Sequence, residues 1–100
     1  MFDRLKKAQR PATDYVTLRE LATSKSVTIR SAVAANPNTQ IYMLETLATD
    51  KRDKVRAGVA SNVNLPPKAW DILTKDSSER VKAALAEFHP ERPDARPRRS

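Results

Sequence analysis

Cysteine is absent from this 100-residue chain, and glycine and histidine occur once each, as Gly58 and His89. Without cysteine there are no disulfides, no thiolate zinc or iron–sulfur ligation and no thiol nucleophile. A single glycine excludes the phosphate-cradling loops, whose common forms need at least two glycines to bring backbone against phosphate. One histidine rules out a His-rich metal site and any mechanism built on two imidazoles. Aromatic residues make up 5% of the chain, too few for a row of base-stacking platforms. No apolar run approaches the roughly 18–20 residues of a membrane span. The opening MFDRLKKAQR also lacks the apolar stretch of a secretory signal. A cytoplasmic domain with no metal, no cofactor and no membrane partner is the expectation.

What the chain does have is repetition. A shift of 26 residues aligns three stretches without a gap: 15–40, 41–66 and 67–90. The first two agree at ten of 26 positions, among them Leu18/Leu44, Arg30/Arg56, Asn36/Asn62 and Asn38/Asn64. The third keeps Trp70, Leu73, Val81, Lys82, Leu85 and Ala86 in register. Gap-free recurrence at one period is the signature of a stacked repeat.

Within each unit the apolar residues follow helical spacing. Ile41, Leu44, Leu47 and Ala48 share one helix face, and Val55, Val59 and Ala60 line the inner face of the next. Ser24, Asp50 and Asp76 separate the two helices and have the chemistry of N-caps; Asp76 and Glu79 have capping-box spacing. Asn36–Pro37 and Asn62–Val63–Asn64 are read as helix ends, since Asn tolerates the left-handed conformation and Pro cannot continue the ladder. All seven prolines fall outside the predicted helix interiors.

A pair of helices this short cannot bury its apolar face alone, so the units must stack. Residues 1–14 read as a degraded capping half-repeat. Arg4, Ala8, Pro11 and Thr13 match Arg30, Ala34, Pro37 and Thr39, while Asp3 and Lys7 replace the apolar Ile29 and Val33. Residues 91–100 read as a disordered Pro- and Arg-rich tail. The expected fold is all-α: a short solenoid of about three two-helix repeats with an N-terminal cap.

The segments LATSKSVTIRSAVAANPNT and LATDKRDKVRAGVASN resemble the leucine-rich repeat variant family, and more loosely the HEAT-like helical repeats. The resemblance covers about 15–90 and weakens in the third copy, where Thr74 stands for Ala and Phe88 for Asn. It implies a right-handed superhelix of alternating helices, one of which can be a short 3₁₀ segment. Some members carry a cysteine-ligated iron–sulfur cluster in a separate N-terminal part; with no cysteine here, that feature does not carry over. The family shares no catalytic residues, so the resemblance implies a scaffold.

Arg30, Arg56 and Lys82 place one cation per repeat on a common face. They either track an acidic partner or pair with acids such as Asp50 and Asp76 inside the stack. Lys25, Lys51, Arg52, Lys54, Lys75 and Arg80 lie near the turns before the second helices, interleaved with Asp50, Asp53, Asp76 and Glu79; mixed signs of this kind usually mean solvated surface. Tyr42 and Met43 match no apolar column and are candidate outer contacts for a partner helix. Trp70 falls in the column of Leu18 and Leu44 and belongs to the core. Ala32, Gly58 and Ala84 form a small-residue column suited to close helix packing. His89 reads as a surface or capping residue. The carboxylate pairs Asp50/Asp53 and Asp76/Glu79 are explained by capping, and no constellation supports an enzyme.

Net charge is +7, divided as +2 in 1–14, +3 in 15–88 and +2 in 89–100. A duplex-binding face would concentrate charge more strongly than this. The leading expectation is a non-enzymatic module that docks a partner protein, with Arg30, Arg56, Lys82, Lys54, Arg80, Tyr42 and Met43 as candidate contacts. The alternative is DNA binding through a basic edge of Arg30, Arg56, Lys82 and Lys54 together with the Arg-rich tail. Self-association through the ends of the short stack is a further possibility.

Overall fold

A computed structural model describes residues 2–92. Among them are seven helices and no strand: α1 (Phe2–Gln9), α2 (Tyr15–Leu21), α3 (Val27–Ala35), α4 (Ile41–Leu47), α5 (Asp53–Ala60), α6 (Pro67–Thr74) and α7 (Glu79–Phe88). The body is elongated, 47 × 21 × 19 Å. Helices α2, α4 and α6 begin 26 residues apart, at Tyr15, Ile41 and Pro67, so the sequence period is also the structural one. The all-helical expectation is met by a short stack of helix pairs.

Between the two helices of each pair runs one continuous core. Ile29, Val55 and Val81 repeat in one column, Val33, Val59 and Leu85 in a second, and Leu21, Leu47 and Leu73 in a third; all nine are buried. Each such Leu or Val stabilises the fold by about 1.5–3 kcal/mol relative to exposure. Ala8 is fully buried against this core in the place that Ala34 and Ala60 hold in later units. Asp3 and Lys7 stay exposed.

The second helices pack far more extensively on one another, α1 on α3, α3 on α5 and α5 on α7, than α4 does on α6. Side-chain size explains this. At Gly58 an added Cβ would lie 2.7 Å from the Ser31 carbonyl oxygen and 3.0 Å from the Ala34 Cβ, so α5 reaches α3 only because that atom is missing.

Several local expectations are corrected. Ser24, Asp50 and Asp76 are not the N-caps. Those are Ser26, Arg52 and Ser78, and Ser26 and Ser78 accept the N–H groups of Ile29 and Val81 through their own hydroxyls. Ser24, Asp50 and Asp76 stand two residues earlier and accept the backbone N–H of those caps, at 3.1, 2.9 and 2.9 Å. The helix starts only after the chain has turned, so no Asp76–Glu79 capping box forms.

Nor do the asparagines supply a left-handed turn: Asn36 is extended, at φ −75° and ψ 126°, and no described residue has positive φ. Their side chains join repeats. Asn36 Nδ2 donates to the carbonyls of Ala8 and Arg10 at 2.8 and 2.7 Å. Asn62 Nδ2 donates to those of Ala34 and Asn36, both at 2.9 Å.

In the third unit, where no asparagine is available, buried His89 takes over, with Nε2 2.9 Å from the Ala60 carbonyl oxygen. It is therefore not a surface residue. Trp70 is only half-buried, whereas Ala69 beside it is fully buried. Its ring meets His89 edge-on, with centroids 6.0 Å apart, and lies under the Arg92 guanidinium at 4.5 Å. Arg92 thus packs on the last repeat, against the expectation of a disordered tail from residue 91, and residues 93–100 lie outside the described residues.

Candidate functional site

Three surfaces concern function: a cross-repeat ion ladder, a groove over the second helices, and the outer ends of the first helices. The ladder repeats with period 26. Arg30 Nε and Nη2 grip the Asp50 carboxylate at 2.9 and 3.2 Å, and Nη1 donates to the Ser24 carbonyl at 2.8 Å. Arg56 grips Asp76 at 2.6 and 3.3 Å, and its Nη1 donates to the Asp50 carbonyl at 2.7 Å. The side chains of these four residues are 10–20% exposed.

Burial pushes the Asp50 and Asp76 carboxyls up, but the Arg30 and Arg56 forks and the N–H groups of Arg52 and Ser78 outweigh it, so both lie below the usual carboxylate range. The bond to Asp76 in turn raises Arg56. The bidentate fork is the strong form of such pairing. For Arg30 and Arg56, pairing inside the stack is the reading the geometry bears out.

Lys82, the third cation of the row, instead meets Glu79 one turn earlier at 3.5 Å, with both side chains exposed. The candidate contact residues are thus not brought together. Arg30 and Arg56 are held in the ladder. Lys54 and Arg80 line the groove, Lys54 free of any ion pair among the described residues and Arg80 3.7 Å from Asp53.

Tyr42 is 48% exposed on α4, whereas its neighbour Met43 is 4% exposed. Met43 is therefore a core residue and not an outer contact. One step along a helix turns a side chain by about 100°, enough to carry Met43 inward beside Leu44.

The groove, of about 670 Å³, crosses α3, α5 and α7. Its floor is made of small side chains, including Ser31, Ala57, Gly58 and Ala83, between Leu5 on α1 and Phe88 on α7. Reading the Ala32–Gly58–Ala84 column as a packing device explained how the helices approach, but not that small neighbours leave their outer face hollow. The signal was the run of Ala, Ser and Gly at positions 31, 32, 57, 58, 83 and 84.

The outer ends of the first helices expose Tyr15 and Val16 on α2 and Ile41 and Tyr42 on α4 at equivalent positions. Among the described residues no group of three or more His, Asp or Glu could hold a metal ion, and no helix is long and apolar enough to cross a membrane.

No curated protein and no solved structure matches the chain. The sequence pattern of the Leucine Rich Repeat Variant domain matches residues 3–63. That stretch runs from α1 through both asparagine rungs and the Arg30–Asp50 fork. It covers more than half of the sequence, and the chain belongs to the Leucine Rich Repeat Variant domain family.

Proposed function

We propose that this domain is a non-enzymatic docking module that seats a helical segment of a partner protein in the groove across α3, α5 and α7. The observation that carries this reading is the hollow floor. Three adjacent helices line about 670 Å³ with Ala, Ser and Gly residues, with Lys54 and Arg80 on the lining and the exposed Phe88 ring at one end. Small residues let a second helix come close, and an aromatic beside a pocket gives it an anchor. Tyr42, on the first-helix layer, is a separate contact for a larger partner. Cytoplasmic residence fits a module of this kind.

The direct test is affinity capture from native extract with nuclease present. A partner retained after nuclease treatment, and displaced when the groove is filled, supports the reading.

The nucleic-acid alternative draws on Arg30, Arg56, Lys82 and Lys54 together with the Arg-rich tail, most of which lies outside the described residues. The first two are committed to Asp50 and Asp76, and Lys82 has Glu79 beside it. Tight binding of arbitrary duplex DNA at about 150 mM salt, with a steep salt slope, would overturn the docking reading.

A further inference from the structure

A second cavity, of about 630 Å³, opens where the turn entering α3 faces the turn entering α5. Lys25 and Val27 line it from the first turn, Lys51 and Arg52 from the second, and the mostly buried Arg30–Asp50 pair completes the lining. These side chains carry four cations and one carboxylate, a surplus of three positive charges.

The carboxylate has little left to offer the surplus. Asp50 Oδ2 accepts from Arg30 Nε, and Oδ1 accepts from both Arg30 Nη2 and the Arg52 backbone N–H. The side chains of Lys25, Lys51 and Arg52 are exposed and have no carboxylate within 4.0 Å among the described residues. Asp53, next along the chain, is engaged elsewhere: it accepts from Ser78 Oγ at 2.8 Å and faces Arg80.

The surplus is confined to this junction. One repeat later the positions of Lys25, Val27 and Arg52 are held by Lys51, Asp53 and Ser78. The matching turn entering α7 therefore presents Asp53 and Asp76 against Lys51 and Arg56, and carries no positive excess. A shared architecture with charge in one place only marks a local feature beyond the repeat's own needs.

We infer that this cleft binds a compact polyanion of the pyrophosphate type, free or carried on a nucleotide. A single carboxylate would neutralise one of the three free cations. A diphosphate offers several oxygens to cations on both walls, and lysine ammonium groups suit it as point charges without a fixed approach direction. The volume lies within the range of small-molecule sites. The site is separate from the groove, so this inference stands apart from the docking reading.

The test is titration of the full chain with inorganic pyrophosphate and, separately, with ADP, followed by backbone amide shifts. Saturable shifts confined to residues 23–27 and 50–52, with a dissociation constant below about 1 mM, are expected. Lys25→Gln and Lys51→Gln, both at exposed positions, should each weaken binding about fivefold. Lys68→Gln on α6, also exposed, should leave it unchanged. Equal affinity for the two ligands identifies the phosphoryl groups alone as what is read, and tighter ADP adds a contact to the nucleoside. Shifts spread over every exposed lysine, binding unaltered in both cleft variants, or no saturation by either ligand would overturn the proposal.

Discussion

Asn62 donates an N–H of its fully buried side-chain amide to the carbonyl oxygen of Asn36, the equivalent residue one repeat earlier, at 2.9 Å. Its other N–H goes to the Ala34 carbonyl, and its Oδ1 accepts from the Asn64 backbone N–H at 2.8 Å. Every polar atom of that side chain is used, and the Ala34 carbonyl depends on it, whereas the Asn36 carbonyl also accepts the Thr39 N–H at 3.1 Å. Asn62→Ala should therefore cost about 2–4 kcal/mol, since it strands a buried acceptor as well as deleting bonds. Asn64→Ala removes one exposed bond, to the Pro37 carbonyl, and should cost about 1 kcal/mol or less. Urea unfolding of the two variants would separate them.

Gly58→Ala offers a contest between local and tertiary terms. Helix propensity favours alanine by about 1 kcal/mol. The new Cβ would lie 2.7 Å from backbone on α3, and a carbonyl cannot rotate away as the end of a flexible side chain can. A net loss of about 1–3 kcal/mol is expected; a stabilised variant would show that α3 and α5 are not held at the observed distance.

The Arg30–Asp50 and Arg56–Asp76 pairs make stability depend on acid. Both carboxyls titrate lower in the folded chain than in the unfolded one, so below the unfolded value the unfolded state binds more protons. Their contribution is present in full above about pH 4 and is lost as pH falls through the folded values. Thermal midpoints should fall across that acidic window. Asp76→Asn should be less stable at neutral pH and show a shallower acid dependence.

Arg56→Lys preserves the charge but not the fork. A lysine cannot hold both Asp76 oxygens and the Asp50 carbonyl together, and a loss of about 1–2 kcal/mol is expected. Denaturation of Lys82→Ala gives the contrast: its pair with Glu79 is exposed, and the change should stay within about 0.5 kcal/mol.

Ala83 is exposed on α7 and lines the groove. Ala83→Arg should leave the unfolding midpoint nearly unchanged, within about 0.5 kcal/mol, while abolishing retention of a groove-bound partner. Undiminished capture by a folded Ala83→Arg chain would remove the groove from consideration.

Period, pairing of helices and apolar columns were legible because each rests on side-chain size and spacing, which a sequence displays directly. Ile29, Val55 and Val81 declare a buried column without coordinates. The asparagines were visible as a pattern but not in purpose. Ending a helix in the left-handed region and bridging two carbonyls of the previous repeat both call for Asn, and only the φ of Asn36 separates them. Asp50 and Asp76 were equally ambiguous, since a cap and a turn residue two places ahead share the same chemistry. Met43 was misplaced because the third copy offers Ala69 and the first Thr17 at its position, so no apolar column flagged it. The groove eluded detection for a different reason: a hollow is made of what side chains do not fill.

Apart from the local Asp14 cap of α2, every side-chain hydrogen bond that links one repeat to another spans between 20 and 29 residues among the described part of the chain. Among the described residues no side-chain hydrogen bond or ion pair ties the first unit directly to the third. Removing 41–66 as a block would bring Asp76 to the place Asp50 holds relative to Arg30, and would set His89 opposite Ala34 in place of Ala60. The shortened chain would close on the same bonds. Length in this architecture is a whole-number variable, altered one 26-residue step at a time, and a protein so built can be lengthened or trimmed by recombination without inventing a new interface.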